Sequence, residues 1–198
     1  MNIGGMQKLS LSDYPGTPAI VLFLQGCNFN CPFCHNSGLL PAVNEQEGVS
    51  LEETFAYLHK RRSQMSAVVI SGGEPTVHKD LIDFTGEIKA LGYKVKLDTN
   101  GSNPKQIDNL LHRRLLDYIA MDIKAPWQKY DLLAGTKVQH EQIKKSILCI
   151  ADSGIDHHFR TTHYPPMLSD DDLAEITSFL PKQSKYIVQP FKELSEHQ

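Results

Sequence analysis

Residues 19–24 form an unbroken apolar run, the pattern of a strand covered on both faces in a parallel sheet. Shorter segments at 67–70 and 118–121 also read as strands, as do Lys94-Val95-Lys96-Leu97, a weaker stretch at 157–162 and a last one at 185–189. Between them the apolar spacing changes to three and four, the helical period. Leu51, Phe55 and Leu58 make one stripe, and Leu81, Phe84, Ile88 and Leu91 a second. Ile143, Ile147 and Ile150 make a third, and Leu173, Ile176 and Leu180 a fourth. Ser50 with Glu53 reads as a capping box. Asn103-Pro104 opens a further helix and Ser169 caps the last, while Gly92, Gly154 and Pro181 stand where helices should stop. Residues 38–48 read as loop, Tyr14-Pro15-Gly16 as a turn, and the segment through Leu9 and Leu11 as a short strand or arm.

Strictly alternating strands and helices predict an α/β fold with a parallel sheet and right-handed crossovers. Six such units are too few for a closed eight-stranded barrel, so the pattern favours an incomplete (β/α)6 partial barrel over a doubly wound open sheet. Either way, function is expected at the carboxyl ends of the strands. With 198 residues, 40% of them hydrophobic and no break in composition, one domain over residues 1–198 is expected. The net charge of −3, with both signs interspersed, gives no reason to expect nucleic acid as a partner. No apolar run has membrane-spanning length, and the first residues carry no charged-then-apolar leader pattern. Four cysteines, three of them clustered, do not make a secreted disulfide framework, so a reducing cytoplasm is the expected setting.

The clustered cysteines, Cys27, Cys31 and Cys34, follow the first apolar run directly. Three thiolates at this spacing can converge on a metal centre and leave one coordination position without a cysteine. Zinc would need a fourth ligand, for which His35 is the nearest candidate. An iron–sulfur cluster held by three cysteines would keep one iron open. Gly72-Gly73-Glu74, Asp98-Thr99-Asn100 and Asp122-Ile123-Lys124 each follow a predicted strand, so all four motifs converge on one end of the fold.

The three-cysteine spacing, with aromatic Phe33 before the third cysteine, resembles the signature of the radical S-adenosylmethionine (SAM) superfamily. Residues 7–11 with 13–16, Gln25-Gly26-Cys27-Asn28 and Cys34-His35-Asn36 are similar to segments of activating proteins for anaerobic ribonucleoside-triphosphate reductase, and 97–101 and 121–124 to segments of that group and of the pyruvate formate-lyase activase. The resemblance implies that Cys27, Cys31 and Cys34 hold one [4Fe–4S] cluster whose fourth iron binds SAM. One-electron cleavage would then give a 5′-deoxyadenosyl radical that abstracts hydrogen, without any general acid or base. By the same resemblance Gly72 and Gly73 admit the methionyl amino group, and Glu74 accepts from it or fixes the loop. Lys124 pairs with the methionyl carboxylate, while Phe33 and the Cys34-His35 backbone lie beside adenine. Asp98 and Asp122 correspond to carboxylates near which the pyruvate formate-lyase activase places a monovalent cation, which leaves open whether this chain has one.

The implied partners are a glycyl radical enzyme, anaerobic ribonucleotide reductase first, and an external electron donor such as flavodoxin or ferredoxin. Two alternatives stand beside this reading: a small radical SAM enzyme acting on a peptide or nucleoside precursor, and a non-catalytic metal-binding module. Cys149 reads as a packing residue within a helix and His157-His158 as exposed polar sequence. Arg160 could meet SAM, a partner or a structural carboxylate, and His163 and Gln189 are left without a role.

Overall fold

The computed structural model describes residues 1–40 and 48–192; the part of the predicted loop at 41–47 lies outside the described residues. The strands are β1 (Ile3–Ser10), β2 (Ala19–Leu24), β3 (Ala67–Gly72), β4 (Lys94–Thr99), β5 (Tyr118–Asp122), β6 (Asp156–His163) and β7 (Lys185–Pro190). The helices are α1 (Leu51–Arg61), α2 (Leu81–Ala90), α3 (Pro104–His112), α4 (Tyr130–Ala134), α5 (His140–Ala151) and α6 (Asp170–Phe179). All seven strands join one sheet in the order β1-β2-β3-β4-β5-β6-β7. Strands β2 to β7 pair in parallel, as the alternation predicts, and β1 pairs antiparallel to β2. An order that never reverses has no switch point, which rules out the doubly wound alternative. The sheet is an unclosed partial barrel with β1 and β7 at its two ends.

The two sheet faces differ chemically. Ile20, Leu22, Val68, Ile70, Val95, Leu97, Ile119, Met121 and Phe159 point outward and merge with helical Leu58, Ile88, Ile107, Ile143 and Ile176 in the main core. Burying each such side chain is worth roughly 1.5–3 kcal/mol. The inward face starts apolar, where Val21 and Val69 pack with Tyr14, Phe23 and Tyr118. Towards the carboxyl ends it turns polar, with Lys96, Asp98, Asp122 and Arg160.

Helix starts follow the capping signals. Ser50 and Glu53 close a reciprocal capping box on α1, Asn103 accepts from Gln106 N on α3, and Ser169 forms a capping box with Asp172 on α6. Leu51 departs from its predicted stripe: it is 42% exposed, and Thr54 joins Leu58 on the buried side. At the first helical position Leu51 lies in the opening turn, where the chain is still swinging off the loop. The pair His157-His158 also departs from expectation. His158 is buried and bonded to Tyr118 Oη at 2.9 Å, while His157 Nε2 meets Ser184 Oγ at 2.8 Å.

Candidate active site

The cysteine loop leaves β2 at Gln25-Gly26 and is fastened on several sides. At its root, Gly73 N donates to Leu24 O at 2.8 Å and Glu74 N to Gly26 O at 2.9 Å, so the exit of β3 lies directly on the loop. This closeness explains the glycine pair. A Cβ on Gly72 would sit 2.4 Å from Leu24 N, and one on Gly73 2.0 Å from Gly26 O. Gly72 also has φ +109°, which side-chain-bearing residues rarely adopt. Both glycines are therefore required by backbone packing, whatever ligand they later admit.

Asn28 joins the loop to the segment after β4, accepting from Asn100 Nδ2 at 3.0 Å and donating to Ser102 Oγ at 2.8 Å. Asn30 N donates to Ala134 O at 2.8 Å, at the end of α4. Asn36 Nδ2 donates to Gly72 O at 3.1 Å. The α4 segment was not legible as a loop support, although Gly135 after Leu132-Leu133-Ala134 is a helix-stop signal.

Cys27, Cys31 and Cys34 line a cavity of about 320 Å³, and so do Phe33, His35, Gly72, Gly73, Glu74, Asp98, Asp122 and Lys124. That volume falls at the lower end of small-molecule sites, roughly 300–1,000 Å³. Asp13, Thr162 and Gln189 line it as well, and Arg160 completes its charged wall. His163 instead bonds Leu168 O, and Cys149 lies on α5 beside Asp108. Phe33 is buried with Ala125, Leu133 and Leu168 and stacks on Tyr164.

The three thiols are free. Burial pushes Cys27 up to about 11 against the opposing Phe29 N–H, and raises Cys31 against the pull of Lys124. Such thiols stay protonated until a strongly positive centre binds them. His35 does not close a zinc site with them: its Nε2 lies 2.8 Å from Lys192 O, and its ring stacks on Phe191. Among the described residues no three His, Cys, Asp or Glu side chains converge as one metal ion requires. A cluster instead takes each thiolate on a separate iron, so the donor set fits a three-cysteine iron–sulfur centre.

Glu74 is 1% exposed and accepts from Thr76 N at 3.0 Å, Thr99 Oγ1 at 2.7 Å, Asn100 N at 2.6 Å and the Thr76 hydroxyl. Fixing the loop is thus what its carboxylate does in the protein. Burial raises its pKa, and these donors oppose the rise.

Asp98, Asp122, Lys96, Lys124 and Arg160 form one ion network. Lys96 Nζ meets Asp98 Oδ1 at 2.6 Å, and Arg160 Nη2 meets Asp98 Oδ2 at 3.2 Å. Arg160 Nε donates to Asp122 Oδ1, and Lys124 Nζ meets Asp122 Oδ2 at 3.1 Å. Burial alone would raise both carboxyls, yet Arg160 with Lys96, and Arg160 with Lys124, hold them below the usual carboxylate range. Lys96 was missed in the sequence, although Lys96 and Asp98 stand two apart on a strand and so share one face. Each of the four carboxylate oxygens faces a cationic side-chain donor.

An unclosed parallel sheet carrying a three-cysteine loop and a charged cavity at its carboxyl ends defines a cofactor-dependent α/β enzyme. The chain belongs to the Radical SAM superfamily, whose family model matches residues 21–180. Membership implies a [4Fe–4S] cluster and SAM as cofactors. The chain is 35% identical over 195 residues to a Methanocaldococcus jannaschii protein named "Putative glycyl-radical enzyme activating enzyme", covering 96% of this chain and 80% of that one. A second protein of that name and organism is 28% identical over 88% of this chain and 66% of its own length. The fold matches the crystal structure of Streptococcus suis SuiB bound to S-adenosylmethionine with a TM-score of 0.68 at 16% identity. That match covers 89% of this chain and 43% of SuiB.

Proposed function

We propose that this protein is a radical SAM activase that installs a glycyl radical on a partner enzyme. The observation that carries the reading is the similarity to an activating-enzyme relative along 96% of the chain. When bound, the cluster and SAM supply one-electron cleavage of a carbon–sulfur bond and a 5′-deoxyadenosyl radical for hydrogen abstraction. Cys27, Cys31 and Cys34 hold the cluster, and the asparagine ties of their loop keep it against β3 and α4. Lys124, half-buried and with further N–H donors beyond its bond to Asp122, meets the methionyl carboxylate. Phe33 and the Cys34-His35 backbone flank the adenine, and Gly72-Gly73 admit the methionyl amine. The unclosed sheet supports the partner assignment, because a glycine loop of a large enzyme has to enter the cavity from outside.

The preferred partner is an anaerobic ribonucleoside-triphosphate reductase, with reduced flavodoxin or ferredoxin supplying the electron. The test is to mix reconstituted, reduced protein with SAM and that reductase. A glycyl radical seen by electron paramagnetic resonance, together with 5′-deoxyadenosine, is the expected result. Deoxyadenosine without a radical on the reductase would overturn the partner assignment and favour a peptide or nucleoside substrate.

A further inference from the structure

Asp98 and Asp122 reach the cavity from adjacent strands, β4 and β5, and two carboxylates so placed repel each other unless a positive group separates them. Arg160, opposite Asp122 in the register of β5 with β6, provides that group from inside the chain. Its Nη2 donates to Asp98 at 3.2 Å and its Nε to Asp122, so one planar guanidinium spans both acids. The outer oxygens are closed by Lys96 at 2.6 Å and Lys124 at 3.1 Å.

We infer that the Arg160 guanidinium is a built-in replacement for a monovalent cation, so that SAM binding here requires neither Na⁺ nor K⁺. Three side-chain cations already face two carboxylates. An added metal ion would stand beside these three cations and compete with them for the same four oxygens. The one excess positive charge remains available to the carboxylate of SAM. Arg160 is thus a positioning residue that aligns Asp98 and Asp122 and, through Asp122, Lys124. Its role rests on radical SAM membership and is the same whichever substrate the enzyme takes.

The experiment compares K⁺, Na⁺ and tetramethylammonium chlorides at equal ionic strength, with two readouts. One is the melting temperature of the cofactor-free protein. The other is the SAM concentration that half-converts the cluster resonance of the anaerobically reconstituted protein. For the wild type, melting is expected to be unchanged and half-conversion to move by less than about twofold. Arg160→Ala is expected to weaken half-conversion by about tenfold or more in tetramethylammonium, and K⁺ or Na⁺ should restore at least about threefold of it. Arg160→Lys should keep the indifference to added cations.

A wild type whose half-conversion improves more than about fivefold with K⁺ or Na⁺ would overturn the inference. So would a folded Arg160→Ala protein that binds SAM as the wild type does. Should Arg160→Ala fail to fold, the wild-type cation series decides alone. None of these readouts involves a glycyl radical enzyme, so failure of the activase reading is scored separately.

Discussion

Glu74 gives its carboxylate to four donors of the protein, and that makes it a sensitive single position. Glu74→Gln keeps the shape but turns an amide N–H₂ towards groups that are themselves donors. The expected cost is about 1–3 kcal/mol in urea unfolding, with the loss of iron binding that follows from a loosened loop. An unchanged unfolding midpoint would show that the network is not structural. His158 makes a second prediction. Burial, with Arg160 and Lys96 adding to it, lowers its pKa to about 4 from the usual 6.5. The unfolded chain therefore binds a proton below pH 6.5 that the folded chain refuses until near pH 4, and stability must fall as pH falls through that window. The loss from this group is of order 2–3 kcal/mol, and it should shrink in His158→Gln when unfolding free energies at pH 7 and pH 5 are compared. These histidines looked like surface sequence, because their burial depends on β7 and Tyr118, which lie far off along the chain.

At the scale of elements, the cysteine loop depends on a helix that carries no predicted site residue. Gly135, with φ +66°, ends α4 against the loop, and a Cβ there would meet Asn30 O at 1.8 Å. Gly135→Ala should therefore displace Asn30 and Cys31 while leaving the sheet intact. Iron per chain after reconstitution is expected to fall by more than about half, while far-UV circular dichroism stays as in the wild type and melting drops by about 1–3 kcal/mol equivalent. Full iron loading would contradict this support. Capping signals announced α1, α3 and α6 because a cap is a local hydrogen bond, visible within four residues. The five-residue α4 has no such cap and too few turns for an apolar stripe, so nothing local marked what it holds. Ser50→Ala offers a simpler check at this scale, with an expected loss of about 1 kcal/mol from the start of α1 and no effect on iron content.

Over the whole molecule, the alternation of strands and helices was legible because each parallel crossover leaves a strand, a periodic helix and a loop in sequence, while the strand order that excludes a doubly wound sheet came from the structure. The four strand-end motifs were legible for the same reason: this topology brings every carboxyl end to one side. The interior was harder to read. A strand such as β4 buries Val95 and Leu97 on the helix side but Lys96 and Asp98 on the other, so two charged residues are enclosed while Lys94 at its start stays exposed. Enclosure is possible only because β5 and β6 bring Asp122 and Arg160 to the same level. Long-range charge pairing of that kind cannot be seen from one strand at a time. No helix among the described residues is long and apolar enough to cross a membrane.

The central claim is that three cysteines at the carboxyl end of β2 hold a cluster with one iron open to SAM. Its most direct test is anaerobic reconstitution with iron and sulfide, followed by low-temperature electron paramagnetic resonance of the reduced protein with and without SAM. The account predicts about four irons and four sulfides per chain, a resonance that SAM shifts, and 5′-deoxyadenosine formed alongside. Loss of the cluster in Cys27→Ser, Cys31→Ser and Cys34→Ser, but not in Cys149→Ser, should accompany it. A folded protein that binds a single metal ion, or a cluster whose resonance ignores SAM, would contradict the claim and leave the chain a metal-binding module.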